Sequence, residues 1–153
     1  MANIVFNIAK GRVVELYNRV ENNDPTNSAI ILVPIETSGL ESDATLIDVD
    51  TLSALIAGAT NEQTTMGRKT LTDSDLAALP APDDTNDRYE VSLPTVTWTA
   101  ASGNAISKIA VCYDSDTTGG TDANIIPLTM FDFAQTPSGS DIQMTTGVFF
   151  RAS

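Results

Sequence analysis

The chain reads as a mainly β protein of the α+β class, an antiparallel β-sandwich or barrel preceded by an N-terminal segment that contains a helix. Two patterns lead there. From Tyr89 to Ser153, short runs rich in β-branched and aromatic residues alternate with clusters of Gly, Pro, Asp, Asn and Ser almost to the last residue, as in antiparallel strands joined by short connections. Before Tyr89, one apolar stripe recurs at helical spacing and one unbroken apolar run has the length of a strand. A Pro and Asp rich link, Leu79–Asp87 (LPAPDDTND), lies between the two regions. The expected division is therefore an N-terminal arm, helix and α+β segment over residues 1–82 and an antiparallel β domain over residues 83–153. One compact domain overall is the alternative.

Taken in order, Ala2–Asn7 (ANIVFN) is a short apolar arm, either a strand or a docking extension. Within Ile8–Glu21, Val13, Leu16, Tyr17 and Val20 stand at i, i+3, i+4 and i+7, one stripe of a helix, with Lys10, Arg12, Glu15 and Arg19 mostly off it. Pro25 disfavours helical backbone in the residue before it, so Asn22–Asn27 ends that helix. Ser28–Glu36 (SAIILVPIE) has the length of a strand, and Pro34 marks its far end as an edge or a terminus. Thr37–Gly39 turns the chain. Leu52–Ala59 follows as a second short helix with Asp50 or Thr51 as N-cap. Asn61–Leu71 is a polar strand or extended loop, and Ser74–Leu79 is a weak helical turn capped by Thr72 or Ser74.

The β half holds Thr95–Ala100, Ile106–Tyr113, Asn124–Phe133, Asp141–Thr145 and Gly147–Arg151 as strands. Alternation puts Trp98 on the face of Val96 and Ala100. A core position is expected for it, with carbohydrate stacking as the alternative. Phe149 and Phe150 are adjacent, so a regular strand turns them to opposite faces and makes one of them an interface candidate.

Charge narrows the partners. Twenty acidic against eight basic residues leave a formal charge of −12, a field that repels nucleic acid and anionic lipid, and neither is expected to bind. No leader-like N-terminus and no long apolar run is present, so secretion and membrane spanning are not expected. Lys10, Arg12 and Arg19 cluster on the first helix region. They form either an ordinary solvated face or a dock for an acidic protein surface, with the apolar arm adding main-chain pairing.

The chemistry excluded is broad. The chain has no histidine, which removes Ser-His-Asp and Cys-His nucleophiles, HExxH zinc sites and the commonest neutral-pH base. Cys112, the single cysteine, reads as a small buried strand residue. Asp83 and Asp84 sit in the Pro-rich link, where solvated carboxylates do not make an acid/base pair. Asp114–Asp122 (DSDTTGGTD) begins like a calcium loop, D-x-D-x-x-G, but Thr118 replaces the ligand at position five and Ile125 the bidentate Glu at position twelve. A plain Gly-Gly hairpin loop is expected there, an irregular cation site being the alternative. No phosphate-binding glycine motif occurs. No enzyme, catalytic residue, cofactor or metal site is therefore expected.

Three phrases resemble small structural proteins encoded in the virion modules of tailed bacteriophages. They are Ile8–Val33 (IAKGRVVELYNRVENNDPTNSAIILV), Asn61–Leu71 (NEQTTMGRKTL), and the ending from Thr97 (TWTAASGNAISKIAVCYDSDTTGGTDANIIPLTMFDF) through the terminal FFRAS. The resemblance implies a non-enzymatic virion component made in the host cytoplasm. It points first to a capsid decoration, or cement, protein on the outer surface of the phage head, bound to the major capsid protein and stabilising it, and homo-oligomeric, with a trimer among the open arrangements. The alternative is a tail, baseplate or fibre-associated module contacting host glycan or another tail protein. The contacts expected from the residues themselves are Ile4, Phe6, Lys10, Arg12, Arg19, Phe149 and Phe150.

Overall fold

The apolar run after Pro25 forms the centre of the structure. In a computed structural model, which describes residues 4–153, it is strand β2 (Ala29–Glu36), with every residue from Ala29 to Ile35 buried. Ile30 and Leu32 enter one hydrophobic cluster, and Ala29, Ile31, Val33 and Ile35 enter another on the opposite face. A strand covered on both faces is apolar at every position rather than at alternate ones, which is why the sequence shows no period there.

β2 lies inside a five-stranded antiparallel sheet whose order is β1 (Ile4–Val5), β7 (Ile126–Gln135), β6 (Ile106–Asp114), β2 and β3 (Lys69–Leu71). β6 pairs along β2 from Ala29↔Asp114 to Pro34↔Ile109. Pro34 is therefore not at the end of the strand. The chain tolerates it because β3 pairs only with Ile30–Leu32, and past that point the neighbour of β2 is a loop: the Gln63 amide donates to the Pro34 carbonyl at 2.9 Å. Locally the proline stands on an edge, where a missing N–H costs no ladder bond.

One face of the sheet is covered by helix α1 (Val13–Glu21) and by two ribbons, β4 (Tyr89–Leu93) with β9 (Gly147–Ala152) and β5 (Val96–Trp98) with β8 (Ile142–Met144). The other is covered by Phe6 and by two four-residue helices, α2 (Asp43–Leu46) and α3 (Leu52–Leu55), through Leu46, Leu52 and Leu55. The structure is mainly β and antiparallel, and with no closed barrel among the described residues the arrangement is sandwich-like. The sheet draws strands from both sides of the expected division at residues 82 and 83: β2 and β3 from the first part share a ladder with β6 and β7 from the second. The Pro and Asp rich link joins β3 of that sheet to β4 of the β4–β9 ribbon that covers it.

Several local expectations shift. The arm becomes β1, paired with Thr129 and Met130 of β7, while Ala2 and Asn3 lie outside the described residues. The first helix begins at Val13, the first residue of the stripe, and not at Ile8, because a 3-10 turn occupies Asn7–Ala9 and Gly11, at φ +79°, leaves the helical region. Thr51 is the N-cap of α3, accepting from the Ala54 amide, and the helix stops at Leu55 rather than Ala59. Helix α2, capped by Ser42, was not legible as a helix at four residues. Around Ser74 there is a single turn, in which the Thr72 amide donates to the Asp75 carboxylate and Thr72 O accepts from Leu76 N.

Trp98 is 1% exposed, so it is a core residue and does not offer its face to a glycan. Its indole N–H donates to Gly67 O at 2.9 Å, its ring lies 6.3 Å from that of Phe133, and the Lys69 ammonium sits 6.0 Å from the ring centre. Replacing it with alanine opens a large void and strands the Gly67 carbonyl. Trp98→Ala should lower unfolding free energy by about 3–5 kcal/mol in urea titrations; a loss under 1 kcal/mol would show that the side chain is not the anchor of this face.

Candidate interaction surface

The carboxylates are largely committed to structure. Arg68 binds two of them at once: Nε and Nη2 donate to Glu62 at 2.7 and 2.6 Å, and Nη1 and Nη2 donate to Asp122 at 2.6 and 2.9 Å. Paired forks of this kind hold both partners in plane. The hydrogen bonds that Arg68 donates to Asp122 and Glu62 raise its pKa above the ordinary value, and the bond from Arg68 holds Asp122 below the usual carboxylate range against the opposing effect of burial. Lys108, 8% exposed, lies 2.6 Å from Asp132 and 3.2 Å from Asp43. Burial opposes its charge, and its bonds to Asp132 and Asp43 outweigh that, so the ammonium pKa is raised.

The loop that began like a calcium site is built from its own turns. Asp114 Oδ1 accepts from the Asp116 amide at 3.0 Å, Asp116 Oδ1 accepts from the Thr118 amide and hydroxyl, and Asp122 is turned to Arg68. Residues 115–125 join β6 to β7 as a hairpin connection. Among the described residues no three His, Cys, Asp or Glu side chains gather as metal ligands. Cys112 is fully buried on β6, and burial pushes its thiol well above the ordinary value, away from the thiolate form.

What remains at the surface is a polar concavity lined by Asp83, Asp84, Asp87 and Arg88 and, beside β9, a groove whose larger part is apolar. Beside β9 lie two adjoining concavities that share Val148 and Phe149. One, of about 350 Å³, is walled by Phe131 and Phe133 of β7, Met144 of β8 and the start of β9. The other, of about 330 Å³, lies between Val5 and residues Val148–Arg151. Val148 is the exposed large hydrophobic residue among the described ones, at 39%.

A β-bulge creates this surface. β4 and β9 pair Val91↔Phe150 and then Ser92↔Val148, leaving Phe149 as the extra residue. The two phenylalanines consequently do not face opposite ways. Phe149 is buried, its ring stacked 6.1 Å from that of Tyr17, and Phe150 is half-buried against the same cluster. Val148, opposite exposed Ser92, takes the outward position expected of one of them.

The other expected contacts divide. Phe6 is wholly buried in the core, and its amide donates to Leu128 O. Ile4 is half-buried and paired with Met130, so the arm is occupied within the chain. Lys10, Arg12 and Arg19 are exposed, and Arg12 and Arg19 share Glu15 at 3.8 and 2.9 Å, the solvated-face arrangement, worth little energetically. Val148 was not singled out as a contact from sequence, since the extra residue at Phe149 leaves no mark in the pattern.

No family model, no curated protein and no solved structure matches the chain. Among the described residues no helix is long and apolar enough to cross a membrane.

The Arg68 cluster makes two measurable predictions. Arg68→Ala strands Glu62, whose side chain is 10% exposed. It should cost roughly 2–3 kcal/mol in urea unfolding, less than for a fully buried pair because water reaches Asp122. Asp122 has a lowered folded-state pKa. Its contribution is complete above the unfolded carboxylate value, about 3.9, and is lost as pH falls through the lower folded value. Asp122→Asn should therefore flatten the loss of stability as the pH falls below the unfolded carboxylate value, and an unchanged slope would remove Asp122 from that account.

Proposed function

We propose that this chain is a virion structural protein of a tailed phage, a capsid decoration protein that binds the major capsid protein lattice on the outside of the head. The observation that carries the reading is the apolar groove beside β9, with Val148 exposed on its rim. A groove of this kind fits a partner's side chains better than it fits chemistry, because no titratable group lines its larger part. The charged groups elsewhere support a binding role: Glu62 and Asp122 are engaged by Arg68, Asp43 and Asp132 by Lys108, and the lone thiol is buried.

Two general properties suit a high-copy surface component. The charge of −12 opposes self-sticking and non-specific adhesion. A body with both faces of its main sheet covered presents a rigid contact surface, so that little ordering entropy is lost on binding. Many weak identical contacts over a lattice then add stability to the shell by avidity.

Mixing the purified chain with heads lacking their decoration protein tests this. Saturable co-sedimentation at hundreds of copies per particle, with increased resistance of the heads to heat, is the expected result. Absence of binding would overturn the proposal, and a few dozen copies confined to the tail of whole virions would replace it with a tail-associated module.

A further inference from the structure

Strand β9 is paired on one side only. It forms a two-stranded ribbon with β4, and among the described residues its backbone makes no hydrogen bond on the other margin. A free margin of this kind is a template for an added strand unless charge, proline or strong twist blunts it. Here neither proline nor a free charge blunts it, and the bulge at Phe149 is the one feature that bends the edge. β9 has no proline, and its one charge, Arg151, is bound to Glu90 at 2.5 Å.

The two concavities adjoin β9 at Val148 and Phe149, and Phe133, Phe131 and Val5 line them from the neighbouring strands β7 and β1. Side chains on one face of an extended segment recur about every 6–7 Å. A strand laid along β9 would therefore offer successive same-face side chains to neighbouring pockets while its main chain completed the ladder. Main-chain pairing then supplies affinity and the pockets supply selectivity.

Charge selects the occupant. Of the eight Lys and Arg residues, Arg12, Arg19, Arg68, Arg88, Lys108 and Arg151 are in ion pairs with carboxylates of this chain. The acids exceed the bases by twelve (20 − 8). The chain thus has few cations to attract an acidic segment, and its field draws a basic one. A second copy carries the same −12 and would be repelled.

We propose that the free margin of β9 takes an extended segment of a second, basic protein as an added strand, with apolar side chains at alternate positions seated in the two concavities. The identity of that protein as a capsid subunit rests on the reading above; the docking mode does not.

The test uses the full chain with two probes, undecorated heads and a short peptide alternating valine and threonine with lysine at each end. Hydrogen exchange should show slowed β9 amides with either probe. The peptide should bind at least tenfold more weakly when glutamates replace its lysines or a proline interrupts it, and at least tenfold more weakly to Val148→Ser, whose unchanged melting temperature would report an intact fold. If heads bind while β9 amides exchange freely, the docking mode is overturned and the capsid reading stands. If heads do not bind while the lysine-capped peptide does, the capsid reading fails and the docking mode stands. Concentration-dependent protection of β9 in the chain alone would identify a second copy as the occupant and overturn the proposal.

Discussion

Strand β2 has to be buried on both faces, and most of the structure follows from that requirement. Seven consecutive residues, Ala29–Ile35, are buried, and half of such a strand would be left in water by a single cover layer. α1 and the two ribbons close one side and Phe6, Leu46, Leu52 and Leu55 close the other. At roughly 1.5–3 kcal/mol for each large apolar side chain removed from water, the two layers together supply the main driving force for folding. The covers also account for the lateral pairing. With β6 on one side and β3 followed by the 61–63 loop on the other, the backbone groups of β2 have partners in a place that water does not reach.

The 61–68 connection shows how polar groups were accommodated around that core. Gln63, 1% exposed, donates to Asn104 O and accepts from the Thr65 and Met66 amides, so its burial is matched by hydrogen bonds. The fit is close enough that a Cβ on Gly103, at φ +105°, would collide with the Gln63 side-chain amide nitrogen. Arg68 then joins this loop to the β6–β7 connection, and the Gly67 carbonyl receives the Trp98 N–H. Acidic residues that read as a solvated surplus are thus partly structural, and that explains why a calcium-like spacing around Asp114 yields turns and an ion pair instead of a gathered ligand set.

The groove beside β9 follows from the same architecture. The ribbons that cover the main sheet are not hydrogen-bonded into it, so the layer has margins, and one of them lies open next to β7 and β1. The bulge at Phe149 turns two phenylalanines inward and leaves a valine outside. The groove is a by-product of closing a core with two separate ribbons, and the apolar residues that line it are continuous with that core.

Five strands of the β half, though not β4, the helical stripe of Val13, Leu16, Tyr17 and Val20, the core position of Trp98 and the burial of Cys112 were legible in the sequence, because each depends on near neighbours or on residue chemistry alone. The sheet order was not. That β2 would lie against β6, more than seventy residues away, depends on which surfaces exclude water best once all elements exist, and no local pattern encodes it. The same holds for the sites: Phe6 and Phe149 look like contacts as isolated aromatics and are core residues, while Val148 became the exposed apolar group through one unpaired residue in a ladder. Composition and local periodicity by themselves determined an acidic, antiparallel β-rich chain. Only tertiary packing decided which apolar side chains remained outside, since exposure is a property of what covers a residue and not of the residue.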